Sequence, residues 1–488
     1  MLRLLFLYIS IGLIFLPAAA PGFAEGIDPN RWGPDIRLTR DSTDSYPYAM
    51  LNLSDGSLGL IWANIIEHEV DAEILFSSGS FSDQWSSPEI MIAAGSDKTW
   101  GWYPAATGTN GRMHLAYSDT QPGNWEIFHV YSDDNGSTWS SPTRLTNADK
   151  EGWNCTVKTF NEHVYCIWND NRYGGIWIPH PAIYFRSSYD NGITWNEEVR
   201  VSDEASDSAQ APRFLIDLDG TLHAVWQNND LTADELYYDY STDSGVTWYE
   251  DVPINENDYI SSDRPCWVLD KMGNIHLFWV DRLSFDDPGL YYRRSQGEIS
   301  EGVKQWTQRQ RLANYEPDSV SLQSAKTQSS YVYEHGDPQC TIVNGVIHIV
   351  WANYLTKETP GGEAGESWIH WLYSTDDGET WSQRKVVSQV DSISTHMFCI
   401  PSHGRLVLVW ADDRDGNFEI YAKVLLTADL GGDRWVDFLD YAFFVDEWLL
   451  KNSGIPNGNW GVADFDKNGD INWQDMKVFT DQWLQGGE

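Results

Sequence analysis

The chain of 488 residues carries 72 acidic and 32 basic side chains, a formal charge of −40 at pH 7, together with 26 Trp, 24 Tyr and 18 Phe. This balance argues against a nucleic-acid partner, which needs Lys and Arg to neutralise phosphate, and against adsorption on an anionic membrane. A disordered acidic chain would be poor in aromatics, so the protein is globular and its charge is a solvated skin.

At the N-terminus Arg3 precedes an apolar run, Leu4 to Leu16, followed by Pro17-Ala18-Ala19-Ala20 and Gly22-Phe23-Ala24. The run is shorter than the roughly 20 residues that span a bilayer. A positive start, a short apolar core and a small-residue exit read as a secretory signal over 1–24, cut after Ala24 or Ala20. The expectation is a secreted protein with no other segment apolar enough to cross a membrane.

A strand-like pattern ending in an aromatic then recurs at Trp62, Tyr117, Trp168, Trp226, Trp279, Trp351 and Trp410. Turn signals precede several copies, as at Gly111, Gly220, Gly273 and Gly345, and a second alternating run follows, as at Ile183-Tyr184-Phe185-Arg186. About four short strands per unit is the pattern of a propeller blade. The fold class is therefore all-β, a seven-bladed β-propeller over 25–427, with most tryptophans filling the space between sheets. The last unit lacks a fourth strand. Asp35-Ile36-Arg37-Leu38-Thr39 echoes Thr143-Arg144-Leu145-Thr146 and is expected to supply it, closing the ring. His114, His223, His276 and His348 share one repeat position and read as structural. Arg172, Arg282 and Arg414 sit in a recurring Asp-Arg or Asp-x-Arg setting and read as blade salt bridges.

Four units carry a Ser-x-Asp-x-Gly-x-Thr-Trp turn: Ser132 to Trp139, Ser188 to Trp195, Ser241 to Trp248 and Ser374 to Trp381. The Asp accepts turn amides, Gly takes a positive φ and Trp anchors the hairpin. These turns resemble the Asp-boxes, or BNR repeats, of the sialidase superfamily, and the resemblance covers roughly residues 30 to 427. It implies a propeller that acts on glycans, and it implies that the boxes are structural. Sialidases proper have six blades, kept as the alternative architecture, and carry an Arg-Ile-Pro motif that this chain lacks; Tyr46-Pro47-Tyr48 is its nearest analogue.

Cys155, Cys166, Cys266, Cys340 and Cys399 contain no Cys-x-x-Cys pair and read as buried free thiols, with a Cys340–Cys399 bridge as the alternative. Beyond Ala428 the pattern changes to acidic loops and helical stretches. Asp464, Asp466, Asn468, Asp470, Asn472 and Asp475, with Gly469 at the turn, have the spacing of a Ca²⁺ loop; Asp470 would use its backbone carbonyl. Asp429, Asp433, Asp437 and Asp440 repeat the frame, but Gly431 and Arg434 interrupt it, so the first loop should bind Ca²⁺ weakly or not at all. The pair of loop–helix units over 428–488 resembles a small all-α dockerin type I module, which implies a cohesin-type protein partner.

In a propeller, the starts of the inner strands and the loops between second and third strands share one face. His180 and His68 fall in such loops; His335 and His396 precede inner strands. Tyr46, Tyr48, Trp102, Tyr103, Trp153, Arg213, Arg264 and Asp337 lie at inner-strand starts. For a sialidase-like hydrolase, Arg213 and Arg264 would clamp a substrate carboxylate, Asp337 or Asp97 would be the acid, and Tyr46 or Tyr103 the nucleophile. For a lyase that cuts uronate polysaccharides, Arg264 would neutralise the uronate while His180, His335 and Tyr103 move protons. Trp102, Trp153 and His396 would contact the sugar. A non-catalytic glycan-binding propeller, with Trp100, Trp102, Trp125 and Trp153 as stacking platforms, is the third reading.

Overall fold

The computed structural model describes Trp32 and residues 35–67, 71–80, 85–92, 105–109, 111–147, 151–172, 181–203, 208–229, 234–254, 260–282, 288–300, 303–314, 331–335, 337–359, 362–390, 392–402, 404–425 and 476–477. The signal segment and the ligands of the acidic loop, Asp464 to Asp475, lie outside the described residues, as do His68, Asp97, Trp100, Trp102, Tyr103 and His180. Trp32–Leu425 forms one compact unit.

That unit contains seven antiparallel sheets among the described residues. After β1 (Ile36–Arg37), blade one is β2 (Asp44–Asn52), β3 (Leu58–Glu67), β4 (Asp71–Gly79) and β5 (Glu89–Ile92). Blade two is β6 (Ala105–Thr109), β7 (Arg112–Asp119), β8 (Glu126–Ser132) and β9 (Thr143–Arg144). Blade three is β10 (Gly152–Phe160), β11 (His163–Asp170), β12 (Ala182–Ser188) and β13 (Val199–Arg200). Blade four is β14 (Ala209–Ile216), β15 (Leu222–Asn229), β16 (Asp234–Ser241) and β17 (Val252–Pro253). Blade five is β18 (Ser261–Leu269), β19 (Ile275–Arg282), β20 (Pro288–Ser300) and β21 (Val303–Trp306), with β22 (Gln310–Asn314) also on β20. In blade six, β23 (Tyr331–His335) and β24 (Gln339–Val343) both pair with β25 (Val346–Thr359), followed by β26 (Gly362–Ser374) and β27 (Lys385–Val390). Blade seven is β28 (Ser394–Ser402), β29 (Arg405–Asp412), β30 (Glu419–Val424) and, from the other end of the chain, β1.

The seven-blade expectation therefore holds, and the six-blade alternative falls. Blades five and six depart from four strands: β22 adds a fifth, and the innermost strand of blade six is broken into β23 and β24. Second strands are buried on both faces and consequently read as nearly continuous apolar runs; every residue of β29 is buried. The seven repeated aromatics are at most 1% exposed, each on a second strand where it packs between sheets.

Ring closure follows the predicted echo. Ile36 pairs with Ala422 and Arg37 with Tyr421. Arg37 Nη2 donates to Glu419 Oε1 (2.8 Å) and Thr39 Oγ1 donates to Glu419 Oε2, while Leu38 N donates to Ile420 O (2.7 Å). Blade two repeats this through Arg144 Nη2 to Glu126 Oε1 (2.6 Å), Thr146 Oγ1 to Glu126 and Leu145 N to Ile127 O (2.7 Å). The same three side chains thus fasten an outer strand inside one blade and across the chain ends.

All four Asp-boxes have one geometry. In the second, Ser188 Oγ donates to Asp190 Oδ1 (2.8 Å) and accepts from Gly192 N (2.9 Å), and Thr194 donates from N and Oγ1 to Asp190 (2.8 and 2.6 Å). These donors, led by the Thr194 hydroxyl, hold the Asp190 carboxyl down at about 2. The carboxylates are consumed by their own turns. Gly192 has φ +83° and an added Cβ would meet His129 at 2.7 Å, so the box also fixes the contact with the preceding blade. The repeated histidines are structural as expected: His223 pairs with Tyr238 (2.8 Å) and Asp217 (3.2 Å), His276 with Tyr292 (2.8 Å) and Asp270 (3.3 Å). Arg172 bridges Asp170 and Glu198, and Arg414 bridges Asp412 and Asp35. All five cysteines are unbridged, so the alternative Cys340–Cys399 pairing is absent.

Candidate functional site

The inner strands carry a repeated irregularity. Thr156, Arg213, Cys266, Gln339 and Phe398 each pair with the residue preceding the blade's marker tryptophan. Two positions earlier stand Asn154, Ala211, Arg264, Asp337 and His396. In blades three, four, five and seven a register shift falls there, and Asn154, Ala211, Arg264 and His396 adopt φ of 55°, 50°, 56° and 49°. These are β-bulges in the left-handed region, a strained conformation for residues other than glycine that re-aims side chains and is concentrated at functional sites. In blade six the equivalent place is the gap between β23 and β24, which holds Asp337. The bulges fall at the strand starts, the end of the propeller opposite the Asp-boxes.

Neighbouring blades thereby bring Arg213, Arg264, Asp337 and His396 together. Arg264 Nη1 donates to Asp337 Oδ1 at 2.9 Å, and Arg213 Nη2 lies 3.7 Å from Asp337 Oδ2. Arg264 Nε is also 3.8 Å from the buried carboxylate of Asp263. The Asp337 side chain is 45% exposed, and the two arginines are 31% and 33% exposed, so this group opens to solvent. His396 stacks on Tyr46 (ring centroids 4.7 Å) and meets Tyr48 edge-on (6.0 Å); Tyr46 also leans on Phe418 (5.1 Å). Crowding by the surrounding inner strands pushes the His396 imidazole down to about 4, opposed by the charge of Asp337. Water reaches the ring and tempers that penalty, which leaves the ring mainly neutral at pH 7.

Other expected residues fall differently. Trp153 is half-buried beside the blade-three bulge; with the Asn169 amide oriented by its partners, Trp153 Nε1 donates to its oxygen (3.0 Å). His335 ends β23, its backbone paired with Asn353. Asn154 and Ala211 were absent from the sequence expectations, although Pro212, Pro265 and Pro338 recur directly after the bulge position and could have revealed it. Among the described residues no set of three or more His, Cys, Asp or Glu side chains is grouped tightly enough to hold a metal ion unaided.

Comparison with known proteins agrees with the repeat reading. Residues 65–264 match the BNR repeat-like domain family, and residues 372–383 match the BNR/Asp-box repeat. No curated protein sequence matches. Among solved structures, the chain is similar to a protein of unknown function from Dyadobacter fermentans (11% identity, 69% of this chain and 97% of that one, TM-score 0.47). It is also similar to an α-L-arabinofuranosidase from Fusarium graminearum (13%, 81% and 98%, 0.43) and to a Trypanosoma rangeli sialidase mutant displaying trans-sialidase activity (13%, 75% and 59%, 0.40).

Proposed function

We propose that this BNR-repeat propeller acts on an anionic glycan, gripping a sugar carboxylate between Arg213 and Arg264 and cleaving the adjacent bond by β-elimination. One observation carries the reading: two guanidiniums from adjacent blades converge on a single half-exposed carboxylate, that of Asp337, at the bulge ring. A planar guanidinium fork matches a carboxylate, and a uronate displacing Asp337 would meet the same donors. Neutralising that carboxylate acidifies the neighbouring sugar C–H. The neutral His396 ring is a competent acceptor for that proton, and Tyr46, whose ring lies against it, would protonate the departing glycosidic oxygen. The C–H and C–O bonds break, a C=C bond forms, and the two protons are re-equilibrated through water.

Hydrolysis by a tyrosine nucleophile is the competing chemistry. It calls for a further carboxyl group as acid/base beside Tyr46. The His396 ring against Tyr46 offers a proton acceptor at the place where a tyrosine nucleophile would need a carboxyl acid/base, and this favours elimination. Export and, through the 428–488 module, calcium binding and attachment to a cohesin-type protein belong to the same proposal. They rest on the sequence patterns alone.

The test is a panel of uronate polysaccharides and sialoglycans, following ultraviolet absorbance of unsaturated product alongside released reducing sugar. The expected outcome is absorbance rising with cleavage of a uronate polymer. Its acid limb in kcat/KM should lie below the ordinary histidine value, because His396 is held low, and His396→Ala should remove most of the rate. Free sialic acid, or reducing sugar without absorbance, would overturn elimination; glycan retention without any product would indicate a binding module.

A further inference from the structure

Three of the seven blades are clasped to the preceding blade by a cation at one repeated position. In third strands, Arg186, Arg293 and Lys423 occupy equivalent registers, opposite Cys166, Leu277 and Leu408, each two residues before its marker tryptophan. Each reaches back to the preceding blade's outer strand. Arg186 Nη1 donates to Leu145 O (2.6 Å), Lys423 Nζ to Val387 O (3.0 Å), and Arg293 Nη1 to Ile254 O. Blades one, two and six carry the uncharged Ser77, Val130 and Leu372 at this register, and blade four reverses the charge. Opposite Ala224, at the same register, stands Asp239.

Asp239 is 1% exposed, and its Oδ2 is buried with no hydrogen-bond partner; Oδ1 accepts from the adjacent Tyr240 N (2.6 Å). The flanking Tyr238 and Tyr240 alternate to the other face, so Asp239 points towards blade three, as the arginines point to their preceding blades. The blade-three counterpart of the Leu145 and Ile254 carbonyls is that of Val201, identified by the same amide bond from outer to third strand (Val201 N to Ile183 O, 2.9 Å or less). Two residues beyond Val201, Asp203 bonds reciprocally with Asp251 of blade four: Asp203 N to Asp251 Oδ2 (2.8 Å) and Asp251 N to Asp203 Oδ2 (3.3 Å). Where three interfaces hold a carbonyl and a cation from this register, this one holds a carbonyl, a buried orphan carboxylate oxygen and two further acids, with Arg200 Nη2 donating to the Asp203 backbone oxygen (3.1 Å) at its outer side.

We propose that a bound hard divalent cation, of which Ca²⁺ is the fitting probe, replaces the missing arginine between blades three and four, held by Asp239 Oδ2 and the Val201 carbonyl, with Asp203 and Asp251 supplying direct or water-bridged oxygens. All-oxygen donors of this charge suit Ca²⁺ over softer metals. Burial first, then the charges of Asp251 and Asp203, raise the Asp239 carboxyl to about 8.

The test uses the full chain in an Asp464→Ala background, which disables the C-terminal loop. After EDTA stripping, added Ca²⁺ should raise the propeller melting temperature by roughly 2–6 °C. The increment should disappear in Asp239→Asn. Asp239→Arg should reproduce the clasp of blades three, five and seven and melt at or above the calcium-loaded parent without calcium. No calcium response in the Asp464→Ala parent, an undiminished response in Asp239→Asn, or an Asp239→Arg protein that still needs calcium would each overturn the proposal.

Discussion

Arg264 sits at φ 56°, a conformation that costs a non-glycine residue about 1–2 kcal/mol, and its guanidinium nevertheless stays within 2.9 Å of Asp337. Strain and chemistry can be separated by two substitutions. Arg264→Gly relieves the backbone and Arg264→Ala does not, so the glycine variant should melt above the alanine variant, by about 1 kcal/mol in stability. Both should lose about 30- to 160-fold in kcat/KM, as each removes a charge-assisted contact worth about 2–3 kcal/mol. Thermal melts and initial rates check both halves. Equal activity in all three proteins would mean that Arg264 only fastens Asp337. Arg213 lacks the positive φ, being two residues beyond Ala211, and offers a weaker 3.7 Å contact.

At the scale of elements, the closing strand is the most exposed dependence. β1 is only two residues long, yet it holds the ring through Arg37 and Thr39 on Glu419, which is fully buried. Thr39→Val keeps the shape and leaves one Glu419 oxygen short of a donor, along with Ile420 N, which donates to Thr39 Oγ1 (2.8 Å). The expected loss is about 2–3 kcal/mol in urea unfolding, larger than for a typical surface threonine. This element was legible in the sequence because Arg37-Leu38-Thr39 repeats Arg144-Leu145-Thr146, and repeated side chains make repeated bonds. The marker tryptophans and Asp-boxes were legible for the same reason. The broken inner strand of blade six was not: Gly336-Asp337-Pro338 resembles the start of any inner strand, and only pairing shows β23 and β24 on one partner. The bulges escaped notice because Asn154, Ala211, Arg264 and His396 share a backbone angle and no side-chain chemistry.

Across the whole molecule, seven blades of similar sequence give a rigid ring whose departures from repetition mark what is particular to this chain. In the candidate site Arg264, Asp337 and His396 are unlike residues at one repeated position, and Asp239 is an acid where three blades place a cation. The charge of −40 makes the Arg213–Arg264 pair more telling, since an acidic polymer would be repelled nearly everywhere else. Arg213 and Arg264 were legible from residue type and strand position; the neutral His396 against Tyr46 was not, because its state depends on crowding by blades distant in sequence. The most direct measurement compares cleavage of one uronate polysaccharide before and after its carboxyl groups are reduced to alcohols. The account predicts rapid release of unsaturated product from the native polymer and none from the reduced one; equal cleavage of both would contradict it.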